Sequence, residues 1–409
     1  MREQEIGRPL GGPAKSRKLG GKVTADKMAW GTRNRRKRLG RIVCAGLFGT
    51  VLALWPSVNL DGQVTKILPI QPSTVPANGD LNPYGVAFVP AGFPSGGPAQ
   101  PGDILVSNFN NSTNTQGTGT TIVSVSPNGQ TALFFEALPP ALPLGLTTAL
   151  GVLKNGFVIV GNVPTTNGMN PQAGSLLVLD NKGKIKATFA NATLLDGPWD
   201  LTIQDNGDSA IVFVSCVLNG TVTRLDLTVS KNAVILKQAT QIASGYKFAP
   251  NAAALVVGPT GLAYDANTDV LYVASTADNE IFAVTGAAAA TGSNGTGKVI
   301  YQDATHLHGP LGLVLAPNGH LISSQGDAIN PDPAHQSEIV EFTNTGHFVT
   351  QFSIDSATGA AFGIAIATAN TGAVDFAAVD DATNTLTVRC LGWSSPTGHP
   401  AESHWQMSL

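Results

Sequence analysis

The chain has 409 residues, of which 12% are charged, and it contains 46 glycines and 26 prolines. Low charge with many turn residues favours short strands over helices, whose exposed faces need Glu, Lys and Arg. The net charge of −3 divides into +10 for residues 1–41 (13 basic, 3 acidic) and −13 for the remainder (11 basic, 24 acidic). This acidic body excludes nucleic acid as an expected partner, because phosphate binding needs clustered Lys and Arg.

Residues 1–55 combine the basic segment with the apolar run IVCAGLFGTVLALW at 42–55. A basic segment before a short apolar run is typical of a signal peptide, whereas a membrane-spanning helix needs about 20 apolar residues. We therefore expect residues 1–55 to be a disordered basic N-terminus with a signal peptide, and the protein to be periplasmic or secreted. The alternative is an uncleaved N-terminal anchor, which would then be the chain's one contact with a membrane.

The rest of the chain contains six segments with one shared opening, in which Gly or Asp precedes an aliphatic residue. These openings are NPYGVAF (82–88), LPLGLTT (142–148), GPWDLTI (197–203), GPTGLAY (258–264), GPLGLVL (309–315) and AFGIAIA (361–367). We align them on Gly85, Gly145, Asp200, Gly261, Gly312 and Gly363. Recurrence at such intervals indicates an array of similar structural units.

Each opening is followed by two more runs of strand length, and five of the six are followed by a third. Turn sequences such as PNG, NKG and NTG separate the runs. Four short antiparallel strands repeated six times predict an all-β fold, a six-bladed β-propeller over residues 62–392. Residues 393–409 are then a C-terminal tail, and we expect the protein to be a monomer.

The sixth repeat lacks its fourth strand, whereas GQVTKILP (62–69), before the first repeat, resembles GQTALFFE (129–136) of repeat one. We therefore predict that residues 62–69 form the outer strand of the last blade and close the ring. The same assignment puts Cys216 and Cys390 in opposite blades. A disulfide tolerates about 7 Å between Cα atoms, so we predict that none joins them.

The segment GPTGLAYDANTDVLYVASTADNEIFAV (258–284) resembles an NHL repeat, and the other blades are weaker copies. The chain is also distantly similar to gluconolactonase and strictosidine-synthase propellers. This resemblance implies the fold. It does not imply one function, because the family includes both binding proteins and enzymes. In gluconolactonase-like propellers a Glu on the first entry loop helps to bind a divalent metal, but here that loop is DLNPYG (80–85). The resemblance offers Asn162, Asn219 and Asp278 as later ligands.

In a four-stranded blade, the loop that enters the inner strand and the loop between strands two and three lie at the same end of the channel. Asn and Asp are frequent on those loops here, which tight turns alone would also explain. Our candidate ligand-binding residues there are Asn110, Asn162, Trp199, Asp200, His306, His308 and Asp327. Imidazoles with carboxylates and amides suit a cation or a polyhydroxylated ligand, and Trp199 could stack on a sugar.

Two functions follow from these residues. We favour a non-catalytic, exported binding scaffold for a small molecule, a glycan or a protein. The alternative is a metal-dependent, lactonase-like hydrolase that uses calcium or zinc. No G-x-S-x-G, H-E-x-x-H, P-loop or dinucleotide motif occurs in the chain, so the sequence identifies no catalytic residue.

Overall fold

The computed structural model describes residues 63–67, 71–137, 144–368 and 374–392. The predicted signal peptide within residues 1–55 and the predicted tail at 393–409 lie outside these residues. The described part forms 28 strands and no helix, and its strands make six four-stranded antiparallel sheets and two short hairpins. No helix in this part of the chain is long and apolar enough to cross a membrane.

The strands follow the chain in blade order. The first strand is β1 (Gln63–Ile67). Blade 1 consists of β2 (Leu81–Phe88), β3 (Ile104–Asn110), β4 (Thr121–Val125) and β5 (Thr131–Glu136). Blade 2 consists of β6 (Leu146–Leu153), β7 (Phe157–Asn162), β10 (Ser175–Asp180) and β11 (Ile185–Phe189), with the hairpin β8 (Thr165–Thr166) and β9 (Asn170–Pro171) after its second strand. Blade 3 consists of β12 (Pro198–Asp205), β13 (Ser209–Cys216), β14 (Thr221–Val229) and β15 (Val234–Ser244).

A second hairpin, β16 (Ala249–Asn251) and β17 (Leu255–Val257), connects blade 3 to blade 4. Blade 4 consists of β18 (Pro259–Asp265), β19 (Val270–Ser275), β20 (Glu280–Thr285) and β21 (Lys298–Tyr301). Blade 5 consists of β22 (Pro310–Leu315), β23 (His320–Gln325), β24 (Glu338–Thr343) and β25 (Phe348–Ser353). Blade 6 consists of β26 (Ala361–Thr368), β27 (Val374–Asp380) and β28 (Thr385–Gly392), and its fourth strand is β1.

The ring closes as the sequence predicted. Strand β1 pairs antiparallel with β28, with Gln63 opposite Gly392 and Val64 opposite Leu391. Backbone hydrogen bonds continue this attachment beyond the strand, because the Thr74 N–H donates to the carbonyl of Asn384 (2.9 Å). The fold is therefore a six-bladed β-propeller in which both ends of the described chain belong to one blade.

A bulge at the start of each inner strand explains the repeated Gly. The glycine lies within the bulge and faces the neighbouring blade. The next residue pairs with the second strand of its own blade. A Cβ built on Gly363 would lie 1.9 Å from the carbonyl oxygen of Tyr84, and one on Gly261 would lie 2.5 Å from that of Leu311. Only glycine allows such close approach of two inner strands.

Blade 2 corrects the sequence alignment. The register makes Leu150 the partner of Val160, as Val86 is the partner of Val106 in blade 1. The equivalent of Gly85 is therefore Ala149 and not Gly145. The reason is a longer bulge in β6, where three residues (147–149) lie opposite one residue of β7 (161), whereas in blade 1 two residues (84–85) lie opposite one (107).

Side-chain hydroxyls on first and second strands bond to the inner strand of the next blade. Buried hydroxyls donate to the next blade's carbonyls at four junctions: Ser107 to Thr147, Thr147 to Pro198, Thr260 to Pro310 and Ser324 to Phe362. At the junction of blades 3 and 4, Asp200 takes the place of glycine and its Oδ2 accepts from the Leu262 N–H (3.3 Å). These bonds connect neighbouring blades at five of the six junctions of the ring.

Cys216 lies in β13 of blade 3 and Cys390 in β28 of blade 6, on opposite sides of the ring. No disulfide joins them in the described part of the chain. Cys216 is fully buried, and its burial raises the pKa of the thiol to about 12.

Candidate functional site

A cavity of about 220 Å³ lies at one mouth of the central channel. Its walls come from the starts of inner strands, from loops between second and third strands, and from the hairpin β16–β17. Five of the six blades contribute, all except blade 2. The side chains used below are Asn82, Tyr84, Asn110, Trp199, Ala254, Asp327, Phe362 and Asp381.

Aromatic rings form one wall of the cavity. Tyr84 packs against Phe362 with ring centroids 4.4 Å apart, and Trp199 meets Tyr84 edge-on at 6.0 Å and 78°. Phe109 stacks beneath Tyr84 at 4.5 Å. The rings come from blades 1, 3 and 6, so they meet only because the propeller closes. They give the cavity an aromatic corner with two ring faces nearly at right angles.

Tyr84, Trp199 and Phe362 share one position in the repeat, the first residue of the bulge, which precedes the aligned Gly or Asp. The same position is Thr148 in blade 2 and Thr260 in blade 4, whose hydroxyls bond to the next blade. Equivalent residues of a propeller converge on the channel axis, so three aromatics in this register must meet. In the sequence this position is the x of the repeated P-x-G opening. Of the three aromatic residues, only Trp199 was among the predicted site residues.

Four buried polar atoms on the cavity residues have no hydrogen-bond partner among the residues that the structure describes. They are the Oδ1 atoms of Asn82, Asn110 and Asp327 and the Nε1 of Trp199. Each residue is at least nine-tenths buried. Buried polar groups in folded proteins are nearly always paired, because leaving one unpaired costs about 1–3 kcal/mol. Three acceptors and one donor are therefore left unpaired on residues that line one cavity.

The orientation of two of these residues is fixed by their other contacts. The Asn110 Nδ2 donates to Asn114 Oδ1 (2.7 Å), which leaves the Asn110 carbonyl as the unpaired atom. The Asp327 Oδ2 accepts from the backbone N–H groups of Ser337 (3.0 Å) and Gly359 (2.9 Å). Asp327 thus connects blade 5 to the entry loop of blade 6 and leaves its second oxygen, Oδ1, unpaired.

Asp381 supplies a titratable group. It follows β27, lines the cavity and is half-buried. Burial, with a smaller contribution from the charge of Asp380, raises the pKa of the Asp381 carboxyl to about 7. Asp381 in turn raises the pKa of the Tyr84 hydroxyl, whose burial is the larger cause. A carboxyl that titrates near neutral pH in an aromatic cavity is a typical functional-site feature.

The hairpin β16–β17 covers part of the mouth. Leu255 and Val256 pack into the same core cluster as Tyr84 and Trp199. The Gln116 side chain of blade 1 donates across the mouth to the carbonyl of Ala253 at the hairpin tip (3.1 Å). The hairpin leaves the ring between blades 3 and 4, so it extends over the channel toward the opposite side.

The structure brings three of the predicted residues, Asn110, Trp199 and Asp327, around this cavity. Asn162 lies at the same end but faces its own blade, where its Oδ1 accepts from the Gly145 N–H (2.8 Å). Asp200 is one residue further along the inner strand than Trp199 and contacts blade 4. Burial raises the pKa of Asp200 well above its usual range, and N–H donors from Leu201 and Leu262 partly offset this.

The two predicted histidines do not meet around a ligand site. His306 stacks on Phe348 of an outer strand (3.8 Å) and pairs through Nδ1 with Asp303 (2.6 Å). His308 is buried and donates from Nδ1 to the Asn330 carbonyl (2.6 Å). One residue separates the two histidines, and their side chains diverge. The imidazole of His306 lies against an outer strand, whereas that of His308 is buried in blade 5.

Asn219 and Asp278, the later metal ligands offered by the gluconolactonase resemblance, are engaged elsewhere. Asn219 accepts from the Thr221 hydroxyl (2.7 Å), and Asp278 pairs with the exposed Lys247 (3.2 Å). Within the described ranges, no group of three or more His, Cys, Asp and Glu side chains is arranged to hold a metal ion.

No protein family's sequence profile and no curated protein matches the chain. Among solved structures it is similar to a glucose dehydrogenase-type oxidoreductase from Thermus thermophilus (12% identity, 80% of this chain and 100% of that one, TM-score 0.47). It is also similar to a luciferin-regenerating enzyme (11%, 78% and 94%, TM-score 0.46) and to the calcium-binding protein regucalcin from Agrobacterium tumefaciens (13%, 79% and 93%, TM-score 0.46). Similarities this low carry no argument about ligand or function.

Proposed function

We propose that this protein is an exported, non-catalytic NHL-type propeller that binds a small polar molecule at the channel-mouth cavity. The observation that carries the proposal is the set of four buried, unpartnered polar atoms on residues around one enclosed space. Hydrogen bonds between neighbouring blades support the walls of the cavity, and a site that is formed in advance lowers the entropic cost of binding.

The size of the cavity limits the ligand. Drug-sized ligands occupy pockets of about 300–1,000 Å³, and this cavity measures about 220 Å³. A single ring or a short chain fits such a volume, whereas an oligosaccharide or a peptide would have to extend out of it. We therefore place a small molecule ahead of a glycan or a protein.

A cavity-filling substitution tests this proposal. Ala254 lines the cavity from the hairpin, whereas its neighbour Ala252 is exposed and does not. We expect the full-length protein to bind at least one member of a library of small polar metabolites in ligand-observed NMR. Ala254→Phe should abolish that binding, because its ring occupies the ligand's volume, and Ala252→Phe should leave it intact. Binding that survives Ala254→Phe, or a library without a binder, would contradict the proposal.

A further inference from the structure

The charges around the cavity are of one sign. Its lining contains two carboxylates, Asp327 and Asp381, and no Lys, Arg or His side chain among the described residues. Asp380 lies next to Asp381 and adds negative charge. Behind Asp327 lie Glu338, which is buried with both oxygens unpaired, and His308. An anionic ligand would face this field without a counter-charge, whereas a cation would be attracted.

The unpaired atoms favour a ligand that brings positive charge or hydrogen-bond donors. Three of the four unpartnered atoms accept hydrogen bonds, and the fourth, Trp199 Nε1, donates one. An ammonium group brings N–H donors or a diffuse positive charge to such acceptors, and one oxygen on the ligand would satisfy the indole. A polyol can donate to the same acceptors, but it is uncharged and gains no attraction from the two carboxylates.

The aromatic corner is a third feature of the cavity that favours a cationic ligand. The side chains of Tyr84, Trp199 and Phe362 border the same space as the two carboxylates. Aromatic faces carry negative electrostatic potential, and several of them around one cavity bind alkylated ammonium groups by cation–π attraction. A fully hydrated metal ion gains little from such walls.

Resting on the function proposed above, we propose that the ligand is a small organic cation, an alkylated ammonium compound that also carries one oxygen acceptor. The ammonium lies in the aromatic corner between Asp381 and the unpaired amide oxygens of Asn82 and Asn110. The ligand's oxygen accepts from the indole N–H of Trp199.

This geometry makes the affinity depend on pH in a defined direction. Burial and Asp380 raise the pKa of Asp381 to about 7 in the free protein, so the carboxyl is charged at pH 8 and mostly neutral at pH 6. A bound cation stabilises the charged form, so the affinity is higher at high pH. From pH 8 to pH 6 the affinity should fall about tenfold, as one pKa unit corresponds to a factor of ten. Tyr84, Asp380 and Asp327 are the other ionisable groups that face Asp381 across or beside the cavity.

Calorimetric titration of the full-length protein tests the inference with three probes. Choline is permanently charged, so any pH dependence of its binding originates in the protein. Its uncharged isostere 3,3-dimethylbutan-1-ol has the same shape, and glucose represents the polyols. We expect choline to bind at least tenfold more tightly than either neutral probe, and about tenfold more tightly at pH 8 than at pH 6.

Two substitutions complete the experiment. Asp381→Asn should weaken choline binding about tenfold at pH 8 and remove the pH dependence, whereas Asp208→Asn, at an exposed position away from the cavity, should change neither. Equal or tighter binding of a neutral probe would overturn the cation assignment, and so would choline binding that is unaffected by Asp381→Asn. If neutral molecules bind and Ala254→Phe abolishes their binding, the cavity remains the binding site and only its ligand class is wrong.

Discussion

Alanine at position 363 is expected to destabilise the propeller by about 3 kcal/mol or more, the largest effect of any single methyl group added to the channel wall. The new Cβ would lie 1.9 Å from the Tyr84 carbonyl oxygen, which belongs to the inner strand of the adjacent blade. Backbone atoms cannot rotate away, so blades 6 and 1 must separate. Because the same displacement moves the Tyr84 ring, the cavity should lose its aromatic corner as well.

Denaturant unfolding of full-length Gly363→Ala against the parent protein measures this effect. The matched control is Gly292→Ala, where the added Cβ has no heavy atom within 4 Å. Its stability should stay within about 0.5 kcal/mol of the parent, as for most surface substitutions. If the two variants unfold at the same denaturant concentration, the inner strands are not in the close contact described above.

Trp199→Ala should cost about 3–5 kcal/mol, the range for deleting a large buried aromatic side chain. The indole is 1% exposed and contacts Tyr84 and Phe109 edge-on. Trp199→Phe keeps an aromatic ring in contact with these partners, so its loss of stability should be less than half as large. Thermal unfolding of both variants checks the order. An alanine variant as stable as the phenylalanine variant would mean that the aromatic cluster does not hold the channel together.

The repeat pattern predicted the blades because four strands with alternating apolar residues can bury their faces only by stacking on the next unit. Ring closure by residues 62–69 followed from counting strands, since an unpaired edge on the last blade had one available partner. The error at Gly145 arose because the alignment assumed one bulge length, whereas β6 inserts an extra residue. Bulge length is set by contacts with neighbouring blades and is not visible in a single repeat.

The site was predicted only in part. Asn110, Trp199 and Asp327 lie at the cavity, but Tyr84, Phe362 and Asp381 were not among the selected residues. The first two could have been found by comparing the residue before the aligned Gly or Asp in the six repeats. The hairpin could not, because β16–β17 interrupts the repeat and its position over the mouth depends on a contact with Gln116 in a distant blade.

The central claim is that a ligand enters the cavity beside Trp199, and the fluorescence of this residue tests it most directly. The protein has five tryptophans, and the other four lie in the terminal segments at positions 30, 55, 393 and 405. In a full-length chain with those four replaced by phenylalanine, all tryptophan emission comes from the cavity wall. Titration with choline and with each metabolite that binds in NMR should change this emission saturably, and the added Ala254→Phe should abolish the change. Ligands that bind this protein without altering Trp199 emission would contradict the account.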